Sequence, residues 1–401
     1  MDNKSREHVA RARIHSGLPR QGPGSDKNTE ETVRRLPSLP DAARIYDLGC
    51  GPGRASIILA RILRQKIICV DLQQSFLDQL NDDAAKRKLE HLIETRCGDM
   101  SVLPDKKGSI DLIWAEGAIY AIGFDAGLRS WHPLLSERGM VACSELSWLV
   151  PNPSEEPIAY WKANYPGIRS VAQNVMAAEQ LGYECIDHFT LPESCWWDEY
   201  YNPWSRNLED LREDAKHDEV LRAVIERASV EIDLFRRFSN EYGYEFYLLR
   251  KSDIKIRQAV SDDAPQIAQL MAKSLREALP FLPIIHTAED DLMHISTTVL
   301  PNNEVFVAHN EREQIVGFIA FDDEWVHTLY LLPEFMSRGI GTRLLNIAKV
   351  QRKRLMLWTF QKNEIAKLFY AKHGFVVTKE TDGASNEERE PDVHFEWIAP
   401  I

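Results

Sequence analysis

The sequence predicts an α/β protein built from two domains in series, and three observations carry that prediction. From residue 44 to about 145, apolar strand-like runs alternate with amphipathic helical ones, the pattern of a parallel sheet covered by helices. Two glycine-rich turns each lead an apolar strand into a helix: Gly49-Cys50-Gly51-Pro52-Gly53 after Ile45-Tyr46-Asp47-Leu48, and Arg338-Gly339-Ile340-Gly341 after Val326 to Leu332. A polar break at Lys251-Ser252-Asp253 restarts the pattern, so the domains are expected at 1–252 and 253–401. A chain of 401 residues also exceeds the usual span of one hydrophobic core.

In the first half, a polar stretch with Pro19, Gly22, Pro23 and Gly24 precedes a helix expected over Thr29 to Leu36. Strands are expected at Arg44 to Leu48, Lys66 to Asp71, His91 to Cys97, Ser109 to Trp114 and Gly139 to Glu145. Ala55 to Arg64 and Gln74 to Lys88 read as helices between them. An aromatic-rich region follows, then strands at Tyr183 to Thr190 and Tyr244 to Leu249 flanking a long helical stretch, Leu208 to Asn240. In the second half, Ile254 to Arg257 alternates as a strand, and Ser261 is placed to cap a helix with Asp262 and Asp263 in its first turn. Further strands are expected at Glu304 to Ala308, Gln314 to Phe321, Val326 to Leu332, Arg354 to Thr359, Phe375 to Lys379 and Val393 to Ile398, with helices at Gly341 to Gln351 and Asn363 to His373.

A formal charge of -13 argues against nucleic-acid or anionic-membrane partners, which would require a basic face. The stretch Met1 to Glu7 carries charge where a signal peptide has an apolar core, and no apolar run is long enough to span a bilayer, so a cytoplasmic chain is expected. The six cysteines lack zinc-type spacing and read as free thiols in a reducing compartment; no metal site is expected.

The first turn lacks the glycine at 54 that a nicotinamide fingerprint requires; Arg54 stands there. Asp71 ends the next strand, where a carboxylate can hold ribose hydroxyls; Asp99, after Gly98, can accept from an adenine amino group; Asp47 lies at the base of the loop. Three acids around a glycine loop suit a cofactor with an amine and an adenosine but no phosphate, which is S-adenosylmethionine. These residues, with Gly49, Gly51 and Gly53, resemble the class I S-adenosylmethionine-dependent methyltransferases over roughly 17 to 250. The resemblance implies a Rossmann-like, seven-stranded sheet with a reversed last hairpin. Groups that face an acceptor lie beyond the strand ends, which singles out Glu116 and Tyr120, with Glu145 as a further candidate. Glu116 suits either a proton acceptor for an amine or hydroxyl, or a partner of the cofactor's amino group. The aromatic run Cys195 to Trp204 suits either a pocket wall for a cationic or planar acceptor or plain packing onto the sheet, and Arg20-Gln21-Gly22-Pro23-Gly24 suits a lid.

The N–H groups of the second turn, from 337 to 342, are expected to form an anion nest at a helix N-terminus, suited to a pyrophosphate. No Lys-Ser/Thr completes a P-loop, and no acid ends a following strand to hold a ribose. Asn363 and Tyr370 lie seven apart on one helix, hence on one face. Together these resemble the GNAT N-acetyltransferases over about 254 to 398, which implies an α/β fold with a mixed sheet and acetyl-CoA as donor. The family prefers Gln or Arg where this chain has Met336. The resemblance assigns cofactor contacts to Leu331, Arg338, Gly339, Gly341, Thr342 and Asn363, and proton donation to the departing thiolate to Tyr370. Glu324 and His327 are the candidate bases; in a regular strand, positions three apart face opposite sides, so only one qualifies. The acidic loop 381–392 reads as a solvated hairpin connection.

The chain therefore reads as a bifunctional methyl- and acetyltransferase acting on small-molecule amines. The competing reading has one domain catalytic and the other sensing its cofactor.

Overall fold

The computed structural model describes residues 3–399, so Met1 and Asp2 of the charged leading stretch lie outside it. The chain forms two compact units, Met1–Asn174 with Cys185–Lys251, and Val175–Glu184 with Ser252–Ile401.

In the first unit, β1 (Ile45–Leu48), β2 (Ile67–Asp71), β3 (Ile93–Cys97), β4 (Ile110–Ala115) and β5 (Leu135–Trp148) are joined in one sheet by a two-residue β6 (Arg169–Ser170), β7 (Tyr183–Thr190) and β8 (Tyr242–Lys251). Its order is β3-β2-β1-β4-β5-β8-β7, with β6 beside β5 and off that path. The strands from β3 to β5 run parallel, while β8 is antiparallel to β5 from Met140↔Arg250 to Trp148↔Tyr242. Seven strands on the main path with a reversed β8 are the sheet that the resemblance implied. All four residues of β1 are buried, as a strand covered on both faces requires. The order reverses between β1 and β4, which opens a crevice beyond their C-terminal ends. Both the first glycine turn and Glu116 lie there.

Local chemistry moves several boundaries. The helix expected from Thr29 begins at Asp26, because Ser25 caps it and its hydroxyl accepts the Asn28 N–H at 3.2 Å. The long helical stretch is broken near Asp218, whose carboxylate accepts the N–H groups of Val220 and Leu221 and starts the helix Glu219–Phe238. The aromatic run lies on one continuous helix, Ser194–Trp196, a π-turn at Trp197–Tyr201, then Asn202–Asp210.

In the second unit, β9 (Lys255–Gln258), β10 (Glu304–His309), β11 (Ile315–Phe321) and β12 (Val326–Leu331) form an antiparallel sheet in the order β12-β11-β10-β9. Then β13 (Arg354–Phe360), β14 (Val376–Glu380) and β15 (Asp392–Ile398) form another, in the order β13-β15-β14. A single parallel bridge, Trp325↔Met356, joins them, with the Met356 N–H donating to the Glu324 carbonyl at 2.7 Å. Beyond that bridge no strand among the described residues pairs with the outer edge of β12.

Ser261 does not cap its helix. The Asp263 carboxylate accepts the Val260 N–H at 2.8 Å and is held by both terminal nitrogens of Arg257, so the turn closes one residue earlier. Buried Arg343 pairs with buried Glu179 and donates to the Ile254 carbonyl at 2.8 Å.

Candidate functional site

Gly49, Gly51 and Gly53 all have positive φ, +67°, +53° and +84°. A Cβ on Gly53 would fall 2.2 Å from Leu80, and one on Gly49 2.6 Å from the Ala118 Cβ, so these two glycines serve close packing. On Gly51 the nearest side-chain atom would be Gln21 Cγ at 3.7 Å, so only here does the loop face open space. The Gly51 N–H donates to Asp71 at 2.9 Å and the Gln73 N–H donates to its other oxygen at 2.9 Å. Asp71 thus shapes the loop while keeping lone pairs for a ligand. Asp99 accepts from the Ser101 N–H and hydroxyl, which lower its pKa, and it stays exposed.

Asp47 lies at the base of the loop, as its sequence position implies, and lines the cleft there. It is 2 % exposed, takes a hydrogen bond from the Ser56 hydroxyl, and burial pushes its pKa up to about 7. It anchors the helix after the loop from beneath.

Glu116 is not presented as a free base. Its carboxylate accepts from Arg20 Nη1 at 2.9 Å, the Thr29 hydroxyl at 2.9 Å and the Trp114 indole at 3.2 Å. Arg20 is 7 % exposed and also reaches Glu199 at 2.9 Å and Asp26 at 3.2 Å. This ion-pair cluster pins the segment 19–24 across the glycine loop, leaving a cleft of about 60 Å³ between them. Gly24 is required there, since a Cβ would meet Glu116 Oε1 at 2.6 Å.

Gln21, Gly22 and Pro23 line that cleft on one side and a larger cavity, about 420 Å³, on the other. The aromatic run serves both of its possible uses. Trp196 stacks on Phe235 with centroids 4.2 Å apart, and Trp196, Tyr200 and Trp204 also wall the cavity. Tyr120 lines it as well. Glu231, from the helix Glu219–Phe238, sits in the wall and accepts from the Tyr201 hydroxyl at 3.0 Å. Its signal in the sequence is faint but present: Val224, Ala228 and Glu231 fall on one stripe of an otherwise apolar face. Glu145, 2 % exposed, has no hydrogen-bond partner for either oxygen among the described residues, and burial raises its pKa to about 7 against the influence of Tyr165 and Arg169.

In the second unit, Ser337 at φ +60° and Gly339 at φ +81° turn the chain into the helix Ile340–Gln351. Among the described residues the N–H groups of Ser337 to Thr342 donate to no protein acceptor, which leaves a ring of orphan donors at a helix N-terminus. Arg338 lies over the Phe335 ring, and the Thr342 hydroxyl meets His373 Nε2 at 3.0 Å. Leu331 ends β12 beside the nest. Tyr370 is buried among Phe369, Phe375 and Phe395, and burial, then Tyr330, raises its pKa and keeps the phenol protonated.

Three expectations change here. Asn363 precedes the helix Glu364–Lys372 and caps it, accepting the Ala366 N–H at 3.1 Å, so its amide oxygen is partly committed. Glu324 lies in the turn before β12, paired with Arg354 at 3.3 Å, and not on the strand. The parity argument for His327 also fails, because β12 is bulged: Ala320 pairs with Thr328 and Phe321 with Val326, which leaves His327 unmatched. His327 binds Asp322 at 2.8 Å. Among the described residues no cluster of His, Cys, Asp and Glu could hold a metal, and none of the six cysteines forms a disulfide, Cys97 being exposed.

A nucleoside-type loop at a sheet's switch point, followed by a phosphate-type nest beside parted strands, defines a chain of the group-transfer class. Family models agree: a methyltransferase domain matches residues 45–139 and an acetyltransferase (GNAT) domain matches 301–377. The chain thus carries a methyltransferase domain followed by a GNAT acetyltransferase domain. Over 249 residues it is 28% identical to 27-O-demethylrifamycin SV methyltransferase of Amycolatopsis mediterranei, covering 57% of this chain and 85% of that one. Over 126 residues it is 29% identical to the peptidyl-lysine N-acetyltransferase YjaB of Escherichia coli, covering 31% of this chain and 84% of that one. Among solved structures, a methyltransferase from Thiobacillus denitrificans in complex with S-adenosylhomocysteine aligns with TM-score 0.52 and 19% identity, over 60% of this chain and 97% of that one. That likeness supports the fold.

Proposed function

We propose that the chain is a bifunctional group-transfer enzyme that uses S-adenosylmethionine in residues 1–252 and acetyl-CoA in residues 253–401, on small-molecule acceptors bearing an amine. The observation that carries the reading is the contrast between the two glycine turns. One is closed by Asp71 and open only above Gly51, and the other presents unpaired N–H donors. The residues present fit both donors. The positions of Asp71 and Asp99 support an adenosine there, and the Ser337 to Thr342 amides support a pyrophosphate.

When bound, the first donor supplies a sulfonium-activated methyl group and the second a thioester-activated acetyl group. In the first unit, Gly51 leaves room for the donor and the segment 19–24 covers it from water. In the second unit, the nest and the free edge of β12 orient the donor, Leu331, Arg338, Gly339, Gly341, Thr342 and Asn363 border it, and the Tyr370 phenol holds a proton for the leaving thiolate. The acidic charge and reduced thiols support a cytoplasmic setting without nucleic-acid partners. Among the described residues no helix is long and apolar enough to cross a membrane.

The test is calorimetric titration of the full chain with S-adenosylhomocysteine and with CoA. Each should bind and raise the melting temperature of one unit. Absence of binding by either ligand would overturn the assignment of that unit.

A further inference from the structure

The larger cavity of the first unit has a composition that points to its occupant. Its 420 Å³ is within the range of small-molecule sites, and Tyr160, Trp161, Tyr165, Trp196, Tyr200 and Trp204 supply an aromatic side of its wall. Five residues of that wall's helix form a π-turn, Trp197–Tyr201, a distortion that often accompanies ligand sites. Within the aromatic wall stands one carboxylate, Glu231. Tyr201 and Tyr160 donate to it at 3.0 Å and 3.5 Å, which leaves further lone pairs unfilled, and among the described residues no Lys or Arg pairs with it.

Burial raises the Glu231 pKa against the two tyrosine hydrogen bonds and, through space, Arg11. Arg11 and Arg227 both bind Glu7 at the rim, with side chains 61% and 56% exposed, so solvent screens them. His15 is kept neutral by burial. A carboxylate held among aromatic rings without a cation is costly unless a ligand brings the charge, and ring faces attract the same cation.

We propose that this chamber binds a protonated amine with an apolar or aromatic body, whose ammonium pairs with the Glu231 carboxylate. The proposal rests on reading the first unit as a methyltransferase. It adds the acceptor's charge and shape, and places it across the segment Gln21 to Pro23 from the glycine loop.

The experiment uses the full chain and two isosteric probes, 2-phenylethylamine and 2-phenylethanol, titrated while following tryptophan fluorescence and heat. The amine should bind at least about tenfold more tightly than the alcohol, as a hydrogen bond to a charged group predicts. Glu231→Gln should remove that advantage and leave the alcohol's affinity within about twofold. Equal binding of the two probes by the native chain, or an amine preference that survives Glu231→Gln, overturns the proposal. The comparison of probes on the native chain needs no variant, so misfolding of Glu231→Gln cannot protect the idea. Titration with S-adenosylhomocysteine separates the layers. If it binds and the amine does not, the acceptor assignment fails and the methyltransferase reading stands. If the amine binds and S-adenosylhomocysteine does not, the donor reading fails and the chamber assignment stands.

Discussion

Replacing Arg20 by alanine probes the cluster over the glycine loop. Arg20 and Glu116 have side chains only 7% and 6% exposed, and their nitrogen and oxygen lie 2.9 Å apart. Removing one member of a buried pair leaves the other charged and desolvated, which costs about 3–5 kcal/mol. Glu116 keeps the Thr29 hydroxyl and the Trp114 indole, each offsetting about 1 kcal/mol, so about 1–3 kcal/mol is expected. For a unit of this size that corresponds to a melting temperature lower by roughly 2–12 °C. Lysine should not restore it, because one ammonium cannot replace Nε on Glu199, Nη1 on Glu116 and Nη2 on Asp26 together. Urea denaturation of Arg20→Ala, Glu116→Gln and the double variant gives the coupling between them. A change for Arg20→Ala within about 0.5 kcal/mol of zero, or strict additivity in the cycle, would refute the claim that this pair pins the segment.

Other perturbations test the sites separately. Asp71→Ala removes a charged acceptor from the Gly51 N–H and from the donor's ribose, so S-adenosylhomocysteine should bind about 10- to 100-fold more weakly by calorimetry; unchanged affinity would dismiss Asp71. Gly53→Ala should destabilise the first unit strongly, since its Cβ would overlap Leu80 at φ +84°, and a stable variant would mean the loop is more adaptable than described. Tyr370→Phe should lower acetyl-transfer kcat by about 100-fold with CoA affinity little changed; equal turnover removes the proton-donor role. Burial of Glu145 raises its pKa from 4.5 to about 7, so the folded state holds a proton that the unfolded state has lost across that window. The contribution of Glu145 to stability therefore falls as pH rises from about 4.5 to 7, and Glu145→Gln should remove about 3 kcal/mol of that pH dependence, read from urea melts at pH 5 and pH 8. An unaltered slope would place the titration elsewhere.

Much of the architecture was readable because strand and helix periods, and the glycines between them, are local. The positive φ angles of Gly51 and Gly339, and the run of buried residues in β1, follow from residue type at each position. What escaped depends on neighbours distant in sequence. Glu116 showed no partner in the sequence, because Arg20, which holds it, lies 96 residues away. Glu324 fell in the turn before β12, and the geometry of His327 turned on a bulge that alternation cannot reveal, since one extra residue reverses every later side-chain direction. Glu231 was hidden because its partners, Tyr160 and Tyr201, come from two other helices.

The segment Gln21 to Pro23 borders the glycine-loop cleft with one face and the aromatic chamber with the other. A wall shared in this way ties two equilibria together. If the donor displaces it on entry, the chamber's shape changes at the same moment, and the free energy of that coupling must be equal in both directions. Whatever factor the donor imposes on acceptor affinity, the acceptor imposes on the donor. Reciprocal titrations, each ligand against a background of the other, therefore measure how strongly that wall couples the two sites without any structure of the bound state.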